Sequence, residues 1–518
     1  MNNSSAKNMR IAKNTLLLYM RTLFIMLITL YTSRVVLNTL GVEDYGIYNV
    51  VSGIVLLLSF LTGAMASATQ RFFSFALGKQ DNVLLNKMFG TNLAVYSAIA
   101  VISLLLFESA GLWFVHNRLN IAPEKIETVK ILYQFSILSF FASMISSPYI
   151  AIMIAHEEMN IYAGISILEA FLKIGSVFLL FVLPYNKLFL YGLLMTFSAA
   201  LIAGLYCAVC TVRYKECSIR KCRFEWSFLK EIIDFTGWSL FGALSTVIRF
   251  QAITILINQF FSPVTVAART VALSVSSSLN SFTSNFSTGL YPPIVKTWAA
   301  GEKEEMYQLV YTGCKITFFL NWIFTLPCLL EIDVILKLWL KNPPSDAGLF
   351  TRLALMETIV LSVSWPLMTA ARAAGNMRKY ELPLGIIQIL ILPVSWGILL
   401  LGGAAWTTLA VAIFANIAMF FVRLIVVAQM TGLSMQAFFS KTLKPVFYTV
   451  APSLILLLTI RYFLPDTLLM SGIFFLGSFI LIAGAIFYCG LLKEEREKII
   501  SIIRNRFHRI LNHKENIT

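Results

Sequence analysis

The stretch NTLLLYMRTLFIMLITLYTSRVVLN, residues 14–38, decides the class of fold. A helix needs about 20 mainly apolar residues to cross a bilayer, and this stretch is long enough, yet it contains Arg21 and Arg34. A charged side chain at the centre of a membrane costs on the order of 3 kcal/mol. Arg249 and Arg269 lie in a matching pair of apolar segments later in the chain. Four such arginines require an aqueous cavity or an anionic partner, so the sequence predicts a protein that moves something negatively charged.

Composition places the whole chain in a membrane. Of its 518 residues, 58% are hydrophobic and 13% are charged, and the mean hydropathy is +0.77. Globular chains carry about 25% charged residues, and no hydrophilic stretch here is long enough for a soluble domain. We expect an all-α polytopic membrane protein, because open strands cannot satisfy their backbone in lipid and no segment shows the alternation of a transmembrane barrel.

The apolar segments predict about fourteen transmembrane helices. We place them at residues 14–38, 45–72, 90–115, 130–154, 160–183, 188–212, 230–259, 264–290, 312–337, 349–371, 381–402, 405–429, 445–464 and 469–492. An even number of crossings puts both termini on the same side of the membrane.

The positive charges indicate which side that is. Lysine and arginine are concentrated at the N-terminus, in the loops after the second, sixth and tenth spans, and in the tail. In the loops these cations include Arg71, Lys79, Arg213, Arg372 and Arg378. Cytoplasmic loops carry the excess of cations, so both termini are expected in the cytoplasm. The loop with His156, Glu157 and Glu158 is an exception, because it is cytoplasmic in this arrangement and yet acidic.

The net charge of +15 has two explanations, which are nucleic-acid binding and the positive-inside distribution with attraction to anionic lipids. The cations lie at helix ends, so we favour the second explanation and expect no nucleic-acid partner. The seven cysteines do not predict a zinc site, because Cys207 and Cys210 fall within an apolar span and zinc ligands need a polar loop. No metal or cofactor is expected.

Three matches in the same order indicate an internal duplication. Residues 35–38 (VVLN) match 255–258 (ILIN), each is followed by a short turn and a helix rich in small residues, and 78–81 (GKQD) match 301–304 (GEKE). Both copies start on the same side, so the repeats are parallel, related by an axis along the membrane normal. The predicted domains are a six-helix N-lobe at 1–212, a basic cytoplasmic linker at 213–229, a six-helix C-lobe at 230–430, two further helices at 431–492 and an amphipathic basic tail at 493–518.

Four motifs carry a resemblance to a known family. They are GVEDYGIY at 41–48, ATQRFFS at 68–74, FTGW at 235–238 and VAAR at 266–269. The chain resembles the polysaccharide-type (O-antigen and capsule) flippases of the multidrug/oligosaccharidyl-lipid/polysaccharide (MOP) exporter superfamily. The resemblance implies a V-shaped, two-lobed transporter of the bacterial inner membrane with a central cationic cavity. It also implies that the substrate is an undecaprenyl-diphosphate-linked oligosaccharide, which is turned over to the periplasmic leaflet.

Guanidinium groups offer bidentate, always-charged partners for phosphate oxygens, so we expect the arginines to bind the diphosphate. Arg249 lies near the middle of its span, and Arg21 lies too deep to reach the interface easily. Arg269 is about two turns into its span, and Arg34 is near a span end, where it could reach the interface or pair with an acidic residue at 43–44. Arg249 and Arg21 are therefore the leading candidates, and a structural ion pair is the alternative for each.

Other charged residues within spans have two interpretations. Glu169 and Lys173 are four residues apart on one helix, so they are expected to neutralise each other. Alternatively, Lys173 joins the phosphate-binding set while Glu169 takes up protons. Glu357 in the tenth span is the other candidate for coupling to H+ or Na+. Glu331 and Asp333 lie near a span end and are expected to be solvated.

Three functional classes follow from these patterns. The first is a flippase for a lipid-linked oligosaccharide, driven by an ion gradient because the chain has no Gly-Lys-Ser/Thr loop for ATP. The second is a cation-coupled multidrug exporter of the same superfamily, which would favour an acidic, aromatic cavity. The third is a membrane-embedded polysaccharide enzyme, which is disfavoured because the four histidines are scattered. Anionic membrane lipids, a polysaccharide polymerase and glycosyltransferases are the expected partners of the flippase.

Overall fold

The computed structural model describes residues 51–55, 58–118, 125–217, 225–261, 263–340, 343–493 and 495–497, together with separate positions between residues 17 and 48. All regular structure in these residues is helical. This confirms the prediction of an all-α fold. Arg34, part of the predicted linker at 218–224 and the tail from residue 498 lie outside the described residues.

The other α-helices of the chain follow helical positions at 20–25 and 51–55. They are α1 (Ser59–Gly78), α2 (Asn82–Leu106), α3 (Leu112–Arg118), α4 (Ile126–Ala155), α5 (Met159–Val182), α6 (Lys187–Arg213), α7 (Trp226–Phe260), α8 (Pro263–Ala299), α9 (Lys303–Leu340), α10 (Ala347–Ser362), α11 (Trp365–Ala374), α12 (Met377–Leu400), α13 (Thr407–Thr431), α14 (Met435–Phe438), α15 (Lys444–Phe463) and α16 (Leu468–Ala485). Short π-helical segments at Phe107–Gly111, Phe439–Leu443 and Ile486–Gly490 continue α2, α14 and α16.

Most predicted spans coincide with these helices to within a few residues. In the described part of the chain, nine helical segments are long and apolar enough to cross a membrane, or ten if the pair α10 and α11, bent by 42°, forms one span. Helices α8 and α9 are 37 and 38 residues long, but they do not meet the same test of apolarity. The total of fourteen stays a prediction, because the first predicted span is described only in part.

Polar side chains at the helix ends explain several of the boundaries. Asp81 accepts a hydrogen bond from the Leu84 N–H at 2.9 Å where α2 begins, and Asn186 does the same for the first turn of α6. Such caps satisfy backbone donors that have no partner within the helix. At the other end of α13, Gly432 has a φ of +82°, a left-handed conformation that glycine adopts without steric cost. The sequence therefore specifies these ends locally.

Two compact units divide the described chain. The first comprises Met1–Gln251, Ser284–Leu309 and Met368–Leu390, and the second comprises Ala252–Thr283, Val310–Leu367 and Ile391–Thr518. The predicted lobes are continuous in sequence, whereas each unit combines segments from both halves of the chain. The division into lobes stays a prediction.

Each unit has its own buried apolar core. In the first unit, α4 packs against α6, and Tyr133 of α4 donates a hydrogen bond to the Phe107 carbonyl at 2.9 Å, where the π-helical segment begins. In the second unit, parts of α7, α8, α9, α10, α12 and α13 contribute to one cluster that contains Ile257, Ala268 and Phe350. These cores hold the helices of each unit together.

Candidate functional site

One face of α5 is polar along most of its length. Tyr162, Ser166, Glu169 and Lys173 recur at intervals of four, three and four residues, so at about 100° per residue they lie in one stripe. Among the large apolar side chains that α5 exposes, Leu168 and Phe178 lie on the opposite side of the helix. An exposed apolar face suits contact with lipid, so the polar stripe faces away from lipid.

Two charged residues of this stripe lie deep in the span. At about 1.5 Å per residue, Glu169 is roughly 15 Å from the start of α5 at Met159, and Lys173 is roughly 14 Å from its end at Val182. The apolar part of a bilayer is about 30 Å thick, so both groups are near its middle. Their side chains are nevertheless 38% and 42% exposed. Charged groups in this position need water, a polar ligand or an opposite charge beside them.

Arg21 approaches the stripe at Tyr162. The guanidinium carbon of Arg21 lies 4.6 Å from the centre of the Tyr162 ring, a distance at which the ring face attracts a cation. Phe24 of the same N-terminal segment packs against Phe171, with ring centres 5.5 Å apart. The Nε of Arg21 is buried and has no hydrogen-bond partner among the described residues. The guanidinium therefore keeps a donor that no described protein group uses.

The stripe is completed by an ion pair and by a residue of α6. Lys173 Nζ donates to Glu169 Oε1 at 2.7 Å, which is the pairing expected from their spacing. The Tyr206 hydroxyl lies 3.4 Å from Ser166 Oγ. We define the Arg21 cluster as Arg21, Tyr162, Ser166, Glu169, Lys173 and Tyr206. It contains two cations and one carboxylate, so its net charge is positive.

Arg249 and Arg269 are both buried, with 5% and 3% of their surface exposed. Arg249 belongs to α7 in the first unit, and its guanidinium carbon lies 4.2 Å from the centre of the Phe250 ring. Arg269 belongs to α8 in the second unit, and its Nε donates to Thr254 Oγ1 at 3.3 Å. The structure thus brings Arg21 to the stripe of Glu169 and Lys173. Binding roles for all the arginines stay predictions.

Glu357 lies in a buried polar region of the second unit. Only 6% of this residue is exposed, and Asn416 of α13 donates from Nδ2 to Glu357 Oε1 at 2.9 Å. Asn321 of α9 donates from Nδ2 to the neighbouring Thr358 carbonyl at 2.9 Å, so three helices meet here through hydrogen bonds. A buried carboxylate with polar neighbours has the chemistry to take up a proton or a metal cation. Its role in coupling stays a prediction.

Arg71 is a residue whose importance the sequence reasoning missed. The second span was expected to end at residue 72 with Arg71 among the loop cations, but α1 continues to Gly78 and Arg71 is buried within it. Its guanidinium donates to the Glu231 carboxylate and to the Arg372 carbonyl. An arginine between aromatic residues, as in the motif at 68–74, was the available signal, because aromatic faces accommodate a guanidinium.

The acidic loop that departs from the expected charge distribution is neutralised by cations. Between α4 and α5, Glu157 accepts a hydrogen bond from Lys296 at 2.7 Å, and Glu158 accepts one from Arg213 at 2.8 Å. His156 Nε2 lies 2.7 Å from Glu216 Oε1. Burial raises the pKa of the Glu216 carboxyl, but hydrogen bonds from His156 and from the backbone outweigh it, so the net effect is a lowered pKa.

The expectation for Glu331 was wrong. This residue is only 2% exposed and forms an ion pair with Arg461 of α15, with 2.5 Å between Oε1 and Nε. Asp333 is exposed as expected, and it pairs with Arg352 at 2.6 Å. Glu331 is buried because Arg461, which is distant in sequence, supplies a counter-charge within the same compact unit.

Comparison with known proteins assigns the chain to a family. Residues 11–298, more than half of the chain, match the family described as "Polysaccharide biosynthesis protein". Residues 239–396 also match the family described as "MatE". The membrane protein EpsK of Bacillus subtilis (strain 168), described as uncharacterized, is 23% identical over 155 residues. That match spans 30% of this chain and 30% of the length of EpsK.

Solved structures of MATE transporters share the fold. An outward-facing multidrug resistance MATE family transporter of the MOP superfamily is 12% identical, covers 82% of this chain and 97% of its own, and has a TM-score of 0.70. The bent form of the Vibrio cholerae MATE transporter VcmN is 14% identical, covers 84% of this chain and 100% of its own, and has a TM-score of 0.64. This chain therefore belongs to the polysaccharide biosynthesis protein family, shares the fold of MATE transporters and is a multi-pass membrane protein.

Proposed function

We propose that the protein flips a lipid-linked oligosaccharide, joined to its lipid through a diphosphate, from the cytoplasmic to the periplasmic leaflet of the bacterial inner membrane. Both termini lie in the cytoplasm in this proposal. The observation that carries it is the Arg21 cluster, in which charged side chains remain exposed near the middle of a span and on the face directed away from lipid.

The chemistry of the cluster suits an anionic, hydroxyl-rich substrate. A diphosphate must lose much of its hydration when it leaves the aqueous surface, and Arg21 and Lys173 can replace water as hydrogen-bond donors. Tyrosine and serine hydroxyls in the same stripe can donate to and accept from sugar hydroxyls. The family match over residues 11–298 agrees with a role in polysaccharide export. Arg249, Arg269 and Arg34 are further members of the proposed phosphate-binding set.

Flipping against a gradient of substrate needs an energy source. Glu357 is our candidate for coupling to H+ or Na+, because it is a buried carboxylate that accepts a hydrogen bond from Asn416. Glu169 is the second candidate, and its pairing with Lys173 means that substrate phosphate and carboxylate compete for one ammonium group. Slower transport in Glu357→Gln that continues at the same rate with and without an ionophore would support the first assignment.

A reconstituted flipping assay tests the proposal directly. Purified full-length protein in proteoliposomes is given a fluorescent diphosphate-linked lipid bearing one sugar, and an impermeant quencher reports how much has changed leaflet. Arg21→Ala and Lys173→Met should each slow flipping by about tenfold or more, because each removes a charge-assisted hydrogen bond to phosphate. Lys187→Met, at an exposed helix start, is the matched control and should flip at the normal rate.

A multidrug exporter is the second candidate function, since residues 239–396 match the MatE family. The Arg21 cluster argues against it, because a site with net positive charge repels cationic drugs. Cells that express the protein should therefore show no increase in export of a cationic dye. Dye export without any flipping of the diphosphate lipid would overturn the proposal in favour of this alternative.

A further inference from the structure

Arg71 joins three helix ends that are far apart in the sequence. Its Nη1 donates to Glu231 Oε1 of α7 at 3.0 Å, and its Nε donates to the Arg372 carbonyl of α11 at 3.1 Å. The Arg71 side chain is only 8% exposed, whereas Glu231 is 52% exposed. A buried guanidinium is thus held by one carboxylate that water can reach. All of these residues belong to the first compact unit.

The turn between α11 and α12 is shaped to receive this guanidinium. Gly375 has a φ of +89°, and a Cβ atom at this position would lie 2.3 Å from Arg71 Nη2. Aromatic rings surround the same group, with the ring centres of Phe72 and Phe235 at 4.8 Å and 5.1 Å from the guanidinium carbon. Position 375 therefore favours glycine for two reasons. The backbone is in the left-handed region, and Arg71 approaches too closely to leave room for a side chain.

A second set of contacts lies at the C-terminal ends of α1 and α8. A Cβ atom on Gly78 would lie 2.6 Å from the Lys296 carbonyl oxygen, so the two backbones nearly touch. Lys296 Nζ donates to Glu157 Oε1 at 2.7 Å. In the same unit, the Tyr291 hydroxyl donates to the Ser67 carbonyl at 3.1 Å. Each of these contacts joins a residue of the first half of the sequence to one of the second half.

Contacts of this kind can open and close. Glu231 is half exposed, so water can replace Arg71 as its partner, whereas a packed apolar core has no such replacement. The positive-inside distribution predicts that Lys79, Arg213 and Arg372 lie at the cytoplasmic side, and Arg71 lies about two turns before Lys79 on α1. A transporter that works by alternating access must separate the two halves of its chain at one side to admit substrate.

We propose that Arg71 closes the cytoplasmic end of the transport pathway, and that it must leave Glu231 and the Arg372 carbonyl for this end to open. We call Arg71, Glu231, Gly375 and the Arg372 carbonyl the Arg71 gate. The pair Lys296 and Glu157 is a second contact of the same closed state. This inference rests on the proposed transport function, but it concerns access to the pathway and not the recognition of substrate.

The test measures how fast water-soluble reagent reaches a buried position beside the gate. Ser74, fully buried and one turn beyond Arg71 on α1, is changed to cysteine. Inverted membrane vesicles containing the full-length protein are treated with an impermeant maleimide, and labelling is compared with vesicles that lack the new cysteine. Arg71→Ala and Glu231→Gln should each speed labelling by about tenfold, because each removes a charge-assisted hydrogen bond of the closed state.

Three further variants separate a gate from a general loosening. Gly375→Ala should also speed labelling, although it removes no charge. Arg71→Lys keeps a cation that can donate to Glu231 and to the Arg372 carbonyl, so labelling should stay slow in this variant. Glu158→Gln breaks the exposed ion pair with Arg213, whose members both lie in the first half of the chain, and should leave labelling slow.

The outcomes are decisive in each direction. Unchanged labelling in both Arg71→Ala and Glu231→Gln would overturn the gate. Equal acceleration at a cysteine in place of Ser198, which is buried on α6, would also overturn it, because that result means general unfolding. If Arg71→Ala does not fold, Glu231→Gln decides, since Glu231 is half exposed. A normal response of the gate without flipping of the diphosphate lipid would sink the proposed substrate and leave the gate intact.

Discussion

Replacing Glu495 is expected to destabilise the protein, because its partner Lys315 is buried in α9. The Lys315 side chain is 1% exposed, and its Nζ lies 2.8 Å and 2.6 Å from the two carboxylate oxygens of Glu495. Removing one member of a buried ion pair costs about 3–5 kcal/mol, since the other charge is left uncompensated. Glu495 is 24% exposed, so water screens part of the interaction. We therefore expect Glu495→Gln to lower the free energy of unfolding by about 2–3 kcal/mol.

The opposite replacement should cost less. Lys315→Met leaves no buried ammonium, and Glu495 still accepts a hydrogen bond from the Leu492 N–H at 2.9 Å and can be partly hydrated. We expect a loss of about 1 kcal/mol for this variant. The double variant should resemble Lys315→Met alone, because neither charge then remains buried. The two single variants and the double variant form a double-mutant cycle, which predicts a coupling free energy of about 2 kcal/mol between Lys315 and Glu495.

Equilibrium unfolding of the full-length protein in mixed detergent micelles, followed by tryptophan fluorescence, gives the free energies for this cycle. Asp333→Asn is the matched control. The Asp333 side chain is 58% exposed and that of its partner Arg352 is 36% exposed, and such exposed ion pairs contribute about 0–1 kcal/mol. If the two single losses simply add in the double variant, the ion pair is not coupled and the reasoning fails. A Lys315→Met variant as unstable as Glu495→Gln would contradict the burial argument.

Three further predictions concern other buried or partly buried charges. Glu357→Ala should lower the free energy of unfolding by about 1–3 kcal/mol, because the buried Asn416 amide loses its carboxylate acceptor, and Glu357→Gln should lower it less; a comparison of melting temperatures in detergent checks the order. Arg461→Met leaves the Glu331 carboxylate buried without its cation, so it should lower the melting temperature more than Arg461→Lys does, and equal losses would show that the charge is irrelevant. The lowered pKa of Glu216 means that its stabilising effect is present above the unfolded value of about 4.3 and is lost as the pH falls through the folded value. The difference in melting temperature between the wild type and Glu216→Gln should therefore shrink as the pH falls below about 4; a difference that grows below that pH would reverse the sign of this argument.

Several features of the fold were readable from local sequence. The apolar segments at 160–183 and 188–212 predicted α5 and α6 to within a few residues, because a helix that spans a membrane must be apolar over a fixed length. The spacing of Glu169 and Lys173 predicted their ion pair, since residues four apart meet on a helix surface.

The candidate site was only partly predictable. Sequence alone selected Arg21, because a charge deep in an apolar span is costly and therefore needs a function or a partner. Sequence alone did not select Tyr162 or Tyr206, because aromatic residues are common in apolar spans. Their contacts with Arg21 and Ser166 depend on how separate helices pack, which a pattern along one helix does not encode.

Sequence by itself therefore determined the fold class, most of the spans and the presence of arginines within apolar spans. Hydrophobicity and the cost of buried charge act on each segment separately. Tertiary structure alone decided which charges are neutralised by partners far away in the sequence. Arg71 with Glu231 and Lys315 with Glu495 are pairs between distant segments, and so is Glu331 with Arg461. An ion pair forms only where two side chains approach within a few ångströms, and for residues far apart in sequence that approach is fixed by helix packing.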